Sequence, residues 1–507
     1  MNYFIPSEEK TNPFNEGFNN NVKKLTLSKD STIKDAMDCI NKSGKRVALV
    51  VDKKGRLIGL VTDGDIRRHI LKSKSIEGPV KEILNLRPIV GKVGMTKDKI
   101  LAIMEKNEII TLPILDKKGI LKDLVLMQDL VKISLSSPDI TSKELNAIKE
   151  VLVSSTLSIG PQVEKFEKLF AQYIGVKYAI AVNSGTSALH LCVRALGIKD
   201  GDEIITSPFS FIASANCALF ERANPVFADI DKKTLCLDYS LIEKKITKRT
   251  KAILPVHIFG HPCQLDKIMV IAKKYNLAVI EDACEALGSE FNGKKVGSFG
   301  QVGVFAFYPN KQITTSEGGM IVTNSKKIAD ICRAMRNQGR TNNRWLSHEI
   351  LGFNYRLGEL NAALGVVQMQ RVEEILKKRK MVAEYYNKRL KSIKGVSIPY
   401  ISKDVKISWF VYVIRLDGNY FSRKDRDKVI KEMTENGIYC RDYFPPIHLE
   451  PLYVNMFGYK KGDYPITESV SDTTIALPFY NNLSQEKVDI ICQTLESVLI
   501  KVKKNRE

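Results

Sequence analysis

Short apolar stretches alternate with amphipathic stretches of helical length over residues 136–507 of this 507-residue chain. This alternation predicts a largely parallel sheet covered by helices. In open sheets of this kind, ligands bind beyond the carboxyl ends of the strands. Polar residues that directly follow predicted strands are therefore the first candidates for a functional site.

An internal repeat occupies the N-terminal part of the chain. The segment VALVVDKKGRLIGLVTDGDI (47–66) recurs, more loosely, as TLPILDKKGILKDLVLMQDL (111–130). An amphipathic stretch precedes each copy, at 31–40 and at 96–105. Each unit therefore predicts a helix, a strand, a DKKG turn, a second strand and a helix, with the two strands forming a hairpin.

The repeat resembles a tandem pair of CBS domains, an α+β module, over residues 23–134. The resemblance implies a cleft for an adenine nucleotide, lined by a hydroxyl residue and by an aspartate three residues later. The first repeat has both, as Thr62 and Asp65, whereas the second has Leu126 and retains only Asp129. A carboxylate suits a ribose diol and a hydroxyl suits phosphate. A structural role stays open, because aspartate in this position also caps helices.

Two segments of the second region place polar residues where predicted strands end. The strand YAIAV runs into NSGTS, which puts Ser184, Gly185 and Thr186 at the start of a helix, where free N–H groups favour an anion. The strand LAVI delivers Glu281 and Asp282 to its carboxyl end. Either feature alone is a weak signal for a functional site. A loop such as NSGTS is often only a helix cap.

A third segment, VGVFAFYPNKQITTSEGG, places Lys311 after a predicted strand and before two glycines that allow close backbone approach to a bound group. Pyridoxal phosphate (PLP) needs an amine for its aldehyde, a carboxylate for its pyridinium nitrogen and a site for its phosphate. The sequence contains, in this order, the loop NSGTS (183–187, the anion loop), Asp282 and Lys311, each at the end of a strand. Together they indicate a PLP site.

Residues 136–507 are similar to the DegT/StrS family of sugar aminotransferases, and EDACEAL and FAFYPNKQ are most similar to its GDP-perosamine synthase-like subgroup. The resemblance implies a fold-type-I α/β architecture, with a large, mixed and mostly parallel sheet domain and a small C-terminal α/β domain. The segments that carry it are GPQVEKFEKLF, NSGTSALHL, SPFSFIASANC, PVHIFGHPCQLDKI, EDACEALGSEFNGKKVGSFG, FAFYPNKQITTSEGG, RNQGR, GFNYRLGELNAALG and YFPPIHLEPLY.

The resemblance implies roles for individual residues. Lys311 would form the Schiff base with PLP and transfer protons, and Asp282 would keep the ring nitrogen protonated. Phe211 would stack on one face of the ring. The phosphate would be bound by Ser184, Gly185 and Thr186.

Two departures and one intersubunit contact follow from the same resemblance. Glu285 occupies a position near the cofactor's 3-hydroxyl where many relatives have Gln. Ala306 replaces a serine that binds phosphate in many relatives. Asn354 would reach into the site of a neighbouring subunit, which implies a homodimer with shared sites.

The implied reaction is a ping-pong transamination in surface-polysaccharide or glycan biosynthesis. Glutamate would donate its amino group, and a nucleotide-linked 4-keto-6-deoxy or 3-keto sugar would receive it. A PLP-dependent keto-sugar dehydratase is one alternative, but relatives with that activity have His in place of Lys311. A nucleotide-sensing regulator with a catalytically idle scaffold is the other. The CBS pair favours it, whereas the retained Lys311, Asp282 and Thr186 argue against it.

Composition narrows the remaining classes of function. The formal net charge is +21, but the lysines are spread along the chain without a nucleic-acid-binding motif, which favours a solvated surface that attracts anionic substrates. The nine cysteines form no CxxC pair, so we expect no metal site. The absence of a run of ~18 apolar residues and the polar N-terminus predict a cytoplasmic protein that does not enter the membrane.

The domain boundaries follow from these patterns. A serine-rich segment at 132–145 ends in a helix-start signal at Thr141 and is expected to link the two regions. We predict an N-terminal tail at 1–22, a CBS module at 23–134, a PLP-binding large domain at 135–390 and a small domain at 391–507.

Overall fold

A computed structural model describes Val22 and the residues 24–73, 75–127, 132–341 and 347–504. The chain divides into two compact units, Met1–Lys132 and Ile133–Glu507. Asp129, one of the predicted nucleotide contacts, lies outside the described residues.

The first unit contains two small sheets of the same design. Its helices are α1 (Ile33–Ser43), α2 (Asp63–Ser73) and α3 (Lys97–Lys106), and its strands are β1 (Thr26–Ser28), β2 (Val47–Val51), β3 (Leu57–Thr62), β4 (Gly91–Lys92), β5 (Thr111–Leu115) and β6 (Leu121–Leu126). Strand β1 runs parallel to β2, which pairs antiparallel with β3, and β4, β5 and β6 repeat this arrangement. The predicted repeat of hairpins is therefore confirmed. The short strands β1 and β4 were not predicted.

The DKKG turns explain why both hairpins close at equivalent positions. The Asp52 carboxylate accepts hydrogen bonds from the backbone N–H groups of Lys54 and Arg56, at 2.8 and 2.9 Å. The Asp116 carboxylate accepts the equivalent pair from Lys118 and Ile120, both at 2.9 Å. An aspartate that satisfies the backbone of its own turn in this way fixes the turn locally.

The second unit is built on a seven-stranded sheet, in the order β7-β15-β14-β11-β10-β8-β9. Strand β15 runs antiparallel to both neighbours, and the other strands are parallel to one another. The predicted mostly parallel sheet is confirmed. Its strands are β7 (Tyr178–Val182), β8 (Glu203–Thr206), β9 (Asn224–Phe227), β10 (Thr250–Leu254), β11 (Ala278–Asp282), β14 (Val302–Ala306) and β15 (Gly319–Thr323).

Helices pack on this sheet and bury its strands almost completely, which is why the strands read as continuous apolar runs. The Thr141 side chain and the Glu144 carboxylate form a capping box at the start of the first of these helices. The helices from Ser142 to Leu390 are α4 (Ser142–Leu152), α5 (Pro161–Ile174), α6 (Gly185–Ala195), α7 (Ala213–Leu219), α8 (Tyr239–Ile242), α9 (Leu265–Lys274), α10 (Lys326–Arg336), α11 (Glu359–Gln370) and α12 (Val372–Leu390).

The C-terminal part carries a smaller antiparallel sheet in the order β16-β18-β19. The division of the unit Ile133–Glu507 into a large and a small domain at residue 390 stays a prediction. A further small sheet joins the hairpin of β12 and β13 to β17. The remaining strands are β12 (Glu290–Phe291), β13 (Lys294–Lys295), β16 (Val396–Ser397), β17 (Val405–Lys406), β18 (Tyr412–Leu416) and β19 (Thr474–Leu477). The remaining helices are α13 (Arg423–Glu435), α14 (Pro451–Phe457), α15 (Pro465–Ser471) and α16 (Gln485–Lys504).

Two properties of the described residues bear on the expected classes of function. None of their helices combines the length and apolar character needed to cross a bilayer. Their His, Cys, Asp and Glu side chains form no cluster of three or more that could hold a metal ion.

Candidate active site

A cavity of about 700 Å³ opens at the carboxyl edge of the large sheet. Strands β7, β11 and β14 run in the same direction, so the residues that follow or end them meet at this edge. The structure brings seven of the predicted residues together around the cavity, namely Ser184, Gly185, Thr186, Phe211, Asp282, Glu285 and Lys311. Positions far apart in the sequence thus form one site, because the sheet aligns the ends of its parallel strands.

The N-terminus of α6 lines one end of the cavity. The Ser184 side chain caps the helix and accepts a hydrogen bond from the Ser187 N–H at 3.0 Å. A Cβ atom on Gly185 would lie 2.8 Å from the Ala306 Cβ, so the loop packs directly on the end of β14. The unpaired N–H groups of the first helical turn and the helix dipole make this end suitable for a phosphate.

Gly319 has a more specific role than the sequence indicated. A Cβ atom there would collide with the Ser184 carbonyl and would lie 2.8 Å from the Gly185 nitrogen. The glycine therefore lets β15 approach the anion loop itself, rather than a bound group. Gly318, its neighbour, does border the cavity.

The Asp282 carboxylate is buried at the end of β11 and has two protein donors. Its Oδ2 accepts a hydrogen bond from the Ser214 hydroxyl at 2.7 Å, and its Oδ1 accepts one from the Cys284 N–H at 3.1 Å. Ionised carboxylate oxygens have about four acceptor positions, so acceptor capacity remains for a ligand. Asp282 can therefore hold a protonated ring nitrogen that enters the cavity.

Glu281, the residue before Asp282, lies on the opposite face of the strand and stabilises a neighbouring backbone segment. Its carboxylate accepts hydrogen bonds of 2.7 Å from the N–H groups of Gly297, Phe299 and Gly300. Its Oε2 also lies 3.2 Å from the His257 Nε2. Because successive side chains of a strand point to opposite faces, only one of the two acids reaches the cavity.

Lys311 points its amine into the cavity between an acid and an aromatic ring. The Lys311 Nζ lies 3.5 Å from the Glu285 Oε1 and 3.9 Å from the centre of the Phe410 ring. The next residue, Gln312, donates hydrogen bonds to the Glu285 carbonyl at 2.7 Å and to the Ser408 Oγ at 3.1 Å. These contacts fix the segment that carries the amine.

Glu285 is an unusual acid because it is buried. Burial raises the pKa of its carboxyl group, and the Lys311 amine together with the Phe259 N–H, which donates to its Oε2 at 2.9 Å, partly opposes that rise. A raised pKa lets the carboxyl group keep its proton at a higher pH than an exposed carboxyl group does. Such groups are typical of catalytic sites.

Asn354 does not border the cavity of its own chain. The residue is exposed and pairs with Asn337 in an isolated antiparallel bridge. The Tyr355 carbonyl accepts a hydrogen bond from the Asn183 N–H at 2.9 Å, which ties the segment to the start of the anion loop. The contact of Asn354 with a neighbouring site therefore stays a prediction.

The residues around the cavity fit PLP on structural grounds. The start of α6 could hold the phosphate, the Asp282 carboxylate could accept from the ring nitrogen, and the Lys311 amine could react with the aldehyde. Phe211 is 60% exposed, which leaves one face of its ring free to cover a flat ligand. The side-chain oxygen of Asn310, which also borders the cavity, is buried without a hydrogen-bond partner among the described residues.

Sequence reasoning missed several residues of the site. Phe410 and Ser408 come from a segment about 100 residues after Lys311 and follow no strand-end pattern. Ser210 and Ser214 carry a usable signal, because a four-residue spacing in SFIAS brings both hydroxyls to one side at the start of a helix.

Comparison with known proteins agrees with the geometry. A model of the DegT/DnrJ/EryC1/StrS aminotransferase family matches residues 138–496, and a CBS-domain model matches residues 21–72. GDP-perosamine synthase of Caulobacter vibrioides is 40% identical over 376 residues, which are 74% of this chain and 100% of that protein.

Solved structures show the same relationship. PseC of Helicobacter pylori, an aminotransferase of pseudoaminic acid biosynthesis, superposes with a TM-score of 0.70 at 30% identity, over 73% of this chain and 100% of its own. The PLP form of Spr1654 of Streptococcus pneumoniae, a protein assigned as a sugar aminotransferase, superposes with a TM-score of 0.70 at 27% identity. The match covers 73% of this chain and 100% of that protein.

Proposed function

The chain belongs to the DegT/DnrJ/EryC1/StrS aminotransferase family, whose cofactor is PLP, and we propose that it transfers the amino group of glutamate to a nucleotide-linked 4-keto-6-deoxy sugar. The observation that carries the proposal is the convergence of the Lys311 amine, the Asp282 carboxylate and the start of α6 on one cavity. The similarity to GDP-perosamine synthase favours a GDP-linked sugar aminated at C4 over a 3-keto sugar. We place the product in surface-polysaccharide or glycan biosynthesis.

Lys311 and Asp282 have different roles in the proposed reaction. PLP, when bound, would supply an aldehyde carbon that takes up the amino group and a ring that withdraws electrons. The Lys311 Nζ would accept the proton that leaves the substrate carbon and, from the same face, would give it back at the next step of the transfer. Asp282 holds the ring nitrogen in its protonated form, because a buried carboxylate stabilises an adjacent positive charge.

The other residues hold the ligand in place and exclude water. The N–H groups at the start of α6 and the Thr186 hydroxyl bind the phosphate, and Phe211 covers one face of the ring. Glu285 lies on the Lys311 side of the cavity and can hold or release a proton at its Oε1. Lys311 itself argues against the dehydratase alternative. The complete set of residues argues against an idle scaffold.

A coupled assay of glutamate-dependent amination tests the proposed function. The purified protein is incubated with glutamate and with a panel of GDP-, UDP- and dTDP-linked keto-sugars, and 2-oxoglutarate release is measured. We expect the highest kcat/KM for a GDP-linked 4-keto-6-deoxy sugar. No 2-oxoglutarate with any sugar would contradict the transaminase function, and a preference for a 3-keto sugar would contradict the C4 assignment.

We propose that the active form is a homodimer in which Asn354 of the partner subunit completes each site. Its exposure, and its position outside the cavity of its own chain, support this arrangement. The segment is held firmly: the Phe353 and Tyr355 rings stack 5.0 Å apart, and His190 Nδ1 lies 3.1 Å from the Tyr355 hydroxyl. A rigid, exposed segment of this kind suits a contact made in trans.

Subunit mixing separates a contact in trans from one in cis. The variants Lys311→Ala and Asn354→Ala are each expected to be nearly inactive. In a hybrid dimer, one site takes its lysine from the Asn354→Ala subunit and its asparagine from the Lys311→Ala subunit, so that site is intact. The other site lacks both side chains. After subunit exchange we expect about a quarter of wild-type activity, because half of the dimers are hybrids with one good site of two. A mixture no more active than its components would contradict the shared site.

We further propose that the N-terminal CBS domain binds an adenine nucleotide that changes the rate of transamination. The family match over residues 21–72 supports the module, and the predicted contacts are Thr62 and Asp65, with Asp129 beyond the described residues. In the structure the Thr62 hydroxyl donates to the Asp65 Oδ2 at 2.6 Å, and Arg68 donates to the Asp65 Oδ1 at 2.5 Å. The Thr62 N–H also donates to the Asp65 Oδ2 at 2.8 Å, and the Asp65 N–H donates to the Thr62 Oγ1 at 3.3 Å. This reciprocal pair is a helix cap, so a binding measurement must separate the two roles.

Titration calorimetry of the full chain with AMP, ADP and ATP decides between the two roles. We expect heat with at least one nucleotide. The variant Thr62→Val is expected to weaken that binding about tenfold, the effect of losing one hydrogen bond to a charged phosphate, which the hydroxyl would make in place of its bond to Asp65. Thr62→Ser keeps the hydroxyl and is expected to bind as the wild type does. Absence of heat with all three nucleotides would show that the residues serve only as a cap.

A further inference from the structure

Two buried hydroxyls form a chain that ends on the Asp282 carboxylate. The Ser210 Oγ lies 2.7 Å from the Ser214 Oγ, and the Ser214 Oγ lies 2.7 Å from the Asp282 Oδ2. All three side chains are at most 5% exposed. Short hydrogen bonds between buried groups are worth more than exposed ones because the surroundings are poorly polarisable.

Counting protons fixes the direction of this chain. A serine hydroxyl has a single proton, and an ionised carboxylate only accepts. Ser214 therefore uses its proton on Asp282, and Ser210 must donate to Ser214. Each donor polarises the next, so the last hydrogen bond, to the charged oxygen, is the strongest.

The same segment carries Phe211. This residue lies directly after Ser210, and the Ser214 N–H donates to the Phe211 carbonyl at 3.2 Å. The hydroxyl chain thus links the Asp282 carboxylate to the segment that carries Phe211, and both residues border the cavity. Other buried serines nearby bond to the backbone instead, as the Ser207 Oγ does with the Phe209 N–H at 3.0 Å.

We infer that Ser210 and Ser214 are positioning residues that orient Asp282 toward the ring nitrogen of PLP and couple its position to that of Phe211. The hydroxyl chain occupies the Oδ2 position on the protein side and holds the carboxylate in one rotamer. The acceptor positions on the cavity side are thereby left for the ring nitrogen. This inference rests on the proposed function.

Cofactor titration of the full-length protein tests the inference without measuring turnover. Protein freed of cofactor is titrated with PLP, and the visible absorbance of the bound form gives the Kd. We expect Ser214→Ala to raise the Kd roughly 10-fold or more, the effect of losing a hydrogen bond to a charged acceptor. Ser210→Ala removes only the polarising donor and is expected to raise it about threefold.

Two further variants separate positioning from general destabilisation. Ser214→Thr keeps the hydroxyl and is expected to bind PLP within about threefold of wild type. Ser207→Ala removes a buried hydroxyl from the same loop without a contact to Asp282, so its Kd should be unchanged. The melting temperatures of the cofactor-free variants are measured in parallel, and the two alanine variants at 207 and 214 should differ in Kd far more than in stability.

Different results would overturn the role of the two serines and the proposed function. A Kd for Ser214→Ala within a factor of about two of wild type would overturn the inference. An equal rise for Ser207→Ala would overturn it as well, because the effect would then come from loop stability. A wild-type protein that binds no PLP would instead overturn the proposed function.

Discussion

Lys311→Ala is expected to abolish the visible absorbance of bound PLP and to lower kcat at least about 10³-fold. Within the described part of the chain, Lys311 is the only lysine or arginine that borders the cavity, so no other amine can take its place. The loss also leaves the buried Glu285 carboxylate without its positive neighbour at 3.5 Å.

Absorbance spectra and the glutamate-dependent assay measure this effect together. Lys267→Ala is the matched control, because this lysine is exposed, lies on α9 and pairs with its neighbour Asp266. We expect the control to keep its colour and its kcat. A Lys311→Ala protein that remains yellow and active would mean that the amine has been assigned to the wrong residue.

Asp282→Asn is expected to lower kcat/KM by about 10²–10³-fold, because a neutral amide cannot stabilise the positive charge of a protonated ring nitrogen. The change is nearly isosteric, and the side-chain oxygen of the asparagine can still accept the Ser214 hydrogen bond. The fold is therefore expected to survive. Steady-state kinetics and PLP titration of the same preparation measure the two consequences.

Glu281→Gln provides a control one residue away on the same strand. Its carboxylate holds the N–H groups of Gly297, Phe299 and Gly300 and does not border the cavity. We expect a loss of about 1–3 kcal/mol in the free energy of unfolding, since the amide cannot satisfy all of these donors. Its kcat should stay within about threefold of wild type. A reversed pattern, with Glu281→Gln inactive and Asp282→Asn active, would contradict the assignment of the two acids.

Local sequence patterns were sufficient to predict which strand ends surround the cavity. The anion loop, Asp282 and Lys311 all lie just beyond apolar strands, and parallel strands bring such positions to one edge. The two-residue period of a strand could also have separated Glu281 from Asp282 before the structure was known. That alternation places them on opposite faces.

Contacts between distant segments could not be predicted in the same way. Phe410 approaches Lys311 from the C-terminal part of the chain, and Gly319 packs on the anion loop from a neighbouring strand. These contacts depend on tertiary packing, which leaves no period in the local sequence. Asn354 is a similar case, since its predicted partner is a second chain.

The N-terminal repeat was recognised because its turn chemistry is local. Asp52 and Asp116 each satisfy the backbone of their own hairpin, and this requirement is visible in the DKKG motif. The short strands β1 and β4 are only three and two residues long, too short for an alternation to be recognised. The motif alone does not distinguish ligand binding at Thr62 and Asp65 from helix capping, because the side chains of both residues accept hydrogen bonds from each other's backbone N–H groups at the start of α2.

Peptide mapping after borohydride reduction of the PLP-loaded protein tests the central claim most directly. Borohydride converts the link between the cofactor and its lysine to a stable amine, so the modified residue can be identified by mass spectrometry. We predict a single pyridoxyl group on the peptide that contains Lys311. A pyridoxyl group on a different lysine, or an unmodified Lys311 peptide from fully loaded protein, would contradict the assignment of the site.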